Sequence, residues 1–164
     1  MKTLPIPPAG ESTHSRTNPP RRILVVDDDV SIRQLSLEVL TGFGYDVDTA
    51  EDGAAGWEAL NGGAYDLLIT DNKMPKLTGI DLLRKLRSAR MVLPVIMVTG
   101  LAPAHEFAGS PWLIPDATLL KPFTVDELLG KVKAVLHINY SNAGSTEADP
   151  SEVVASRKAA YENK

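Results

Sequence analysis

Polar side chains stand at or just after the ends of four short apolar runs in this chain. They are Asp27 and Asp28, Asp71, Thr99 and Lys121, and the runs are 23–26, 67–69, 94–98 and 117–120 respectively. Short apolar runs bounded by turn signals indicate buried strands. The five side chains would then lie at the carboxyl ends of strands, which is the edge of an open α/β sheet where ligands bind.

The chemistry available to such a group is phosphoryl transfer. Three carboxylates at one edge repel each other, and a bound cation is the physical remedy. Oxygen ligands suit Mg²⁺, and with no cysteine and only three histidines a zinc site is not indicated. Phosphoryl transfer depends mainly on positioning and charge neutralisation. A carboxylate such as Asp71 can itself be the nucleophile and form an aspartyl-phosphate.

Each of these residues also has an ordinary structural explanation. Asp27 and Asp28 could cap the following helix, as we expect of Asp29. Asp71 could be a helix cap or a turn residue, Thr99 could be a plain strand residue, and Lys121 could be a surface charge. All five explanations would have to hold at one edge of one sheet, so the joint functional interpretation is favoured.

The remaining pattern predicts elements that position these residues. Apolar spacing and capping signals predict four helices and one further strand, at 31–40, 54–60, 80–88, 124–136 and 45–50 respectively. In the third of these helices the apolar residues form one stripe and Arg87 faces away, and at the start of the fourth Thr124 and Glu127 have the spacing of a capping box. Strands alternating with helices predict a doubly wound five-stranded parallel sheet, with flavodoxin-like order 2-1-3-4-5. Prolines between residues 101 and 116 predict a shortened or irregular fourth helix, at most 103–108.

Length and composition set limits on the class of protein. The 164 residues, 43% of them hydrophobic, predict one domain at 21–138. Before it we expect a disordered Pro-rich arm, 1–20, and after it a polar tail, 139–164, with a possible short helix at 150–161. The net charge of −4 argues against nucleic-acid binding. No apolar run is long enough for a membrane span, and no secretory signal is evident, so we expect a cytoplasmic protein.

Four motifs resemble the receiver domain of bacterial two-component response regulators, which belong to the CheY-like superfamily. The similarity runs from about Arg22 to Leu136, and the motifs are Ile23–Asp29, Tyr65–Asp71 with Met74-Pro75 and Gly79, Val98–Gly100, and Leu120–Phe123. The resemblance implies a phosphorelay in which a histidine kinase or phosphotransfer protein phosphorylates Asp71.

The resemblance also implies a metal site. Asp28, Asp71 and the backbone carbonyl of Lys73 would hold Mg²⁺, and Asp27 would act mainly through a bound water.

Two further roles at the phosphoryl group follow from the resemblance. Lys121 would pair with a phosphoryl oxygen, and its peptide bond to Pro122 is expected to be cis. Thr99 would swing in to hydrogen-bond the phosphoryl group.

The chain departs from the family at positions that affect signal output and phosphoryl lifetime. Thr118 stands where the family usually has an aromatic residue, so we expect an altered response between the fourth and fifth strands. Lys73 and Leu101 stand where family side chains flank the path of the hydrolytic water, and their bulk would slow self-dephosphorylation.

The resulting hypothesis is a stand-alone receiver, since 28 residues follow Leu136 and these are too few for a usual output domain. It would accept a phosphoryl group without being a turnover enzyme. It would act as a monomer or weak dimer through an unknown downstream protein, with no nucleic acid or membrane involved. The alternatives are a non-phosphorylated interaction module, a haloacid-dehalogenase-type phosphatase (although Lys73 replaces the acid/base Asp), and a fragment of a longer protein.

Overall fold

A parallel five-stranded sheet forms the centre of the molecule. The computed structural model describes residues 19–101, 107 and 109–143, with side chains up to residue 137. The strands are β1 (Arg22–Val26), β2 (Asp46–Ala50), β3 (Leu67–Asp71), β4 (Val95–Thr99) and β5 (Ala117–Leu120). Their order is β2-β1-β3-β4-β5, which confirms the predicted topology and makes β1 and β3 neighbours.

Helices cover both faces of this sheet. They are α1 (Val30–Gly42), α2 (Gly53–Gly62), α3 (Gly79–Ser88) and α4 (Val125–Ala143), with a short 3-10 helix at Pro111–Leu113 between β4 and β5. In the part of the chain that the structure describes, no helix combines the length and apolar character needed to cross a bilayer. The predicted short helices at 103–108 and 150–161, and residues 1–18 of the N-terminal arm, lie outside or mostly outside the described residues.

Local capping signals place the helix starts. The Asp29 side chain accepts hydrogen bonds from the Ser31 and Ile32 amides, as predicted for the cap of α1. At α4, the Thr124 hydroxyl accepts from the Glu127 amide while the Glu127 carboxylate accepts from the Thr124 amide, which confirms the predicted capping box.

The core divides into two apolar layers because side chains alternate along each strand. In β1, Leu24 and Val26 pack on the α2–α3 side, whereas Ile23 and Val25 pack on the α1–α4 side. The larger fully buried side chains of α3 are Leu82, Leu83 and Leu86, as its apolar stripe predicted. The sheet is therefore held between two apolar layers.

Two expectations about the helices were wrong. Helix α4 continues to Ala143 rather than ending at Leu136, because residues 137–143 contain no glycine or proline that would end it. The Arg87 side chain does not face solvent, since it is 14% exposed and lies 3.6 Å from Asp116, and it donates to the Leu93 carbonyl. Leu93 lies between α3 and β4, whereas Asp116 directly precedes β5.

Candidate functional site at the carboxyl edge of the sheet

Three carboxylates from two neighbouring strands meet at the carboxyl edge. Asp27 and Asp28 directly follow β1, and Asp71 is the last residue of β3. Each contributes an oxygen to a cluster whose members all lie within 4.8 Å of one another. Asp27 and Asp71 are 2% and 5% exposed, whereas Asp28 faces solvent. The cluster is therefore a half-open acidic pocket with a buried floor.

Lys121 supplies the positive charge of this pocket. Its Nζ lies 3.0 Å from Asp27 Oδ2 and 3.0 Å from Asp71 Oδ1. Burial pulls the pKa of Lys121 down, but the hydrogen bonds to the two carboxylates outweigh burial, so its pKa is raised. The lysine stays charged at neutral pH. The Lys121–Pro122 peptide bond is cis, as expected.

Asp27 is the most constrained carboxylate of the cluster. Burial raises its pKa, against the lowering effects of the Asp29 amide and of Lys121. The Asp29 amide donates to Asp27 Oδ1 at 2.8 Å, and Arg33 Nη1 donates to the Asp27 carbonyl at 2.6 Å. Sequence reasoning missed Arg33, although a helical side chain leans toward the N-terminus of its helix and so toward this loop.

Thr99 ends β4 at the same edge and is buried, at 3% exposed. Its hydroxyl donates to the Leu101 carbonyl at 2.9 Å and accepts from the Leu101 amide at 3.4 Å. The hydroxyl is thus engaged by the turn that follows β4. Leu101 itself is 71% exposed.

The loop between β3 and α3 passes next to the acidic pocket. Its first residue, Asn72, donates its amide to the Val98 carbonyl and accepts at its own carbonyl from the Gly79 amide. A Cβ on Gly79 would lie 2.2 Å from the Asp71 carbonyl oxygen, so only glycine allows α3 to start this close to Asp71. The exposed side chain of Lys73 lies in this loop.

Thr118 lies in β5 opposite Met97 of β4 and is partly buried. The described residues between β4 and β5 include the 3-10 helix Pro111–Leu113. Most of the predicted helix at 103–108 lies outside the described residues, so the altered response between β4 and β5 stays a prediction.

The donor set suits a hard divalent cation. Oxygens that share one Mg²⁺ at about 2.1 Å each lie at most about 4.2 Å apart, so carboxylates within 4.8 Å reach this spacing by small side-chain rotations. With one lysine against three carboxylates, the pocket carries excess negative charge. A cation here would neutralise it and leave the exposed side of the pocket open to an incoming phosphoryl group.

Known proteins resemble this chain in sequence and in fold. Residues 23–133 match the response regulator receiver domain family. The transcriptional regulatory protein DltR of Streptococcus agalactiae is 36% identical over 112 residues, covering 68% of this chain and 50% of DltR. The structure of the response regulator TrrA of Thermotoga maritima, in complex with Mg²⁺–BeF, is 36% identical, with a TM-score of 0.63 over 70% of this chain and 98% of TrrA.

A CheY-like receiver domain protein of Methanospirillum hungatei is 31% identical and has a TM-score of 0.71 over 76% of this chain and 99% of its own. The chain spans about half the length of the curated relatives it matches. The family match contains all four strand ends that carry the candidate site. On its sequence, its strand order and its acidic edge, the chain belongs to the response regulator receiver domain family of two-component signalling.

Proposed function

We propose that this chain is the phosphoacceptor of a two-component phosphorelay and is phosphorylated on Asp71 by a histidine kinase or phosphotransfer protein. The observation that carries the proposal is the placement of Lys121 Nζ, at 3.0 Å from both Asp27 and Asp71, the two buried members of the acidic cluster. A lysine charge at a carboxylate nucleophile is the pairing that phosphoryl transfer requires.

In the proposed reaction, an Asp71 carboxylate oxygen attacks the phosphorus of a phosphohistidine. The new O–P bond forms as the P–N bond breaks, and the electron pair of the broken bond remains on the imidazole nitrogen. Lys121 lies next to Asp71 and pairs with an oxygen of the transferred group. Thr99 provides its hydroxyl after leaving the turn at Leu101.

Asp28, Asp71 and the Lys73 carbonyl are the proposed ligands of Mg²⁺, with Asp27 acting through a bound water. The ion, when bound, neutralises the carboxylates and charge on the phosphoryl oxygens. Support comes from the oxygen spacing of the acidic cluster and from TrrA, a 36% identical response regulator whose structure is a complex with Mg²⁺–BeF.

The proposed output is a change in the population of two receiver arrangements, which a downstream protein distinguishes. A role in transcription follows only from the name of DltR and relatives like it, which this chain matches over about half their length. For this chain, the proposed output is contact with a downstream protein.

Phosphorylation is tested by intact mass spectrometry of the full chain after incubation with acetyl phosphate and Mg²⁺. We expect one phosphoryl adduct, absent in Asp71→Asn and retained in Asp126→Asn, a control on the exposed first turn of α4. Failure of every donor to give an adduct would favour the non-phosphorylated interaction module. Steady release of phosphate from added phosphomonoesters would favour the phosphatase.

A further inference from the structure

The β3–α3 loop contains a strained turn at Lys76. This residue has φ of 66°, and the Leu77 amide donates to the Pro75 carbonyl at 2.7 Å across it. A hydrogen bond between residues two apart, around a central residue with positive φ, defines the rare γ-turn. Strain at a residue other than glycine persists only where surrounding contacts impose it.

The side chain of Lys76 is 65% exposed and forms an ion pair with the start of α2. Its Nζ lies 2.5 Å from Oδ2 of Asp52. Asp52 is 3% exposed, and its other oxygen accepts from the Ala55 amide at 2.9 Å as the cap of α2. The hydrogen bond from Lys76, followed by the Ala55 amide, lowers the pKa of Asp52. The carboxylate is therefore charged at neutral pH, and the Ala55 amide fixes its orientation.

The loop also lies directly against the start of α2. A Cβ on Gly53 would be 2.2 Å from the Leu77 carbonyl oxygen, so the backbone there tolerates no side chain. At its other side the loop is held by Gly79 against Asp71. The loop is thus held at its ends by backbone contacts of residues 72, 77 and 79 and in its middle by the buried side chain of Met74, and the ion pair is the side-chain contact that fixes the turn at Lys76.

We propose that Asp52 and Lys76 are positioning residues for the metal site, because their ion pair fixes the turn that directs the Lys73 carbonyl toward the acidic pocket. This inference rests on the proposed function, in which that carbonyl is a ligand of Mg²⁺. Lys76 is three residues beyond Lys73 in the same loop, so a change in the turn alters the direction of the carbonyl. Neither side chain belongs to the acidic cluster of Asp27, Asp28 and Asp71.

The test is an amide NMR titration of the full chain with MgCl₂, following the amides of Asp28 and Asp71. We expect Lys76→Met and Asp52→Asn each to weaken Mg²⁺ binding by about tenfold, as is usual for residues that orient the ligands of a metal without contacting the metal themselves. The double variant should bind no more weakly than either single variant, because both remove the same contact. Lys76→Arg should restore most of the affinity, and Lys131→Met, on exposed α4 surface, should leave it unchanged.

Lys76→Gly separates positioning from folding stability. Glycine adopts positive φ without strain but also adopts other conformations equally readily, and it lacks the ammonium group that binds Asp52. In urea with EDTA, this variant should therefore have an unfolding midpoint no lower than that of Lys76→Met and yet still bind Mg²⁺ weakly. Wild-type affinity in Lys76→Gly, or additive losses in the double variant, would overturn the inference. Failure of the wild-type chain itself to bind Mg²⁺ would instead overturn the proposed function on which this inference rests.

Discussion

Replacing Lys121 with Met should make the protein less stable without metal and yet a tighter binder of Mg²⁺. Lys121 is the cation between Asp27 and Asp71, with its Nζ at 3.0 Å from each. Methionine keeps much of the unbranched length and removes the charge. The remaining carboxylates then repel one another at separations within 4.8 Å.

The magnitude follows from these distances. Two unit charges 4.8 Å apart repel by roughly 3.5 kcal/mol at an effective dielectric of about 20. Removing one partner of a buried ion pair typically costs about 3–5 kcal/mol, and the partial exposure of Lys121, 24% for its side chain, places the expected loss near the lower value. Against a domain stability of about 5–15 kcal/mol, such a loss is easily measured.

Bound Mg²⁺ should recover about half of this loss, because it cancels the repulsion but does not replace the ammonium hydrogen bonds. By reciprocity, a recovery of about 1.5 kcal/mol corresponds to a Kd for Mg²⁺ about tenfold lower in the variant. Phosphorylation from acetyl phosphate should fall at the same time. The affinity for Mg²⁺ would thus rise while the extent of phosphorylation falls. A variant that is merely less well folded would lose both.

The assay is urea unfolding in EDTA and in saturating Mg²⁺, together with an NMR titration of Mg²⁺. Lys131→Met, which removes a lysine from the exposed surface of α4, is the matched control and should change neither stability nor affinity. The reasoning fails if Lys121→Met loses the same stability with and without Mg²⁺, or if its Mg²⁺ affinity is equal to or weaker than that of the wild type.

Three further predictions concern other parts of the molecule. Gly79→Ala should lower the free energy of unfolding by about 1–3 kcal/mol, measured in urea, since its Cβ would meet the Asp71 carbonyl. Hydrogen bonds from Thr124 lower the pKa of Glu127 below its ordinary value of 4.5. The stability that the Glu127 carboxylate adds is therefore fully present above pH 4.5 and is lost as the pH falls through the lowered pKa. In Glu127→Gln, the free energy of unfolding should fall less steeply with decreasing pH in this acid range. Lys73→Ala with Leu101→Ala should shorten the half-life of the phosphoryl adduct, followed by mass spectrometry; an unchanged half-life would contradict the proposed shielding.

The strand order and the acidic edge were predictable because both follow from short-range pattern. Apolar runs locate the strands, right-handed connections restrict their order, and any polar residue directly after a strand must then reach the same edge. The caps at Asp29 and Thr124 were predictable for the same reason, since cap and helix are adjacent in sequence.

Contacts between distant segments were not predictable in this way. Lys76 and Asp52 are 24 residues apart, and nothing local to either residue identifies its partner. Arg33 was missed because its acceptor is a backbone carbonyl, which no residue type reveals. The extent of α4 was underestimated because polar residues after Leu136 were read as a helix end, although polarity alone does not stop a helix.

In the proposed phosphorylation of Asp71, the hydrogen-bonded hydroxyl of Thr99 would limit how far the phosphoryl group shifts this receiver between its two arrangements. Its bond to the Leu101 carbonyl must be given up before it can serve a phosphoryl oxygen. A neutral hydrogen bond contributes about 1 kcal/mol net and one to a charged group about 2 kcal/mol, so the exchange yields about 1 kcal/mol, or roughly a fivefold change in population. Through Thr99 alone, phosphorylation would therefore shift the population of the two arrangements only partly. A downstream protein that binds the favoured arrangement would supply the rest of the free energy needed for a complete shift. By the same linkage, its binding would raise the population of that arrangement further.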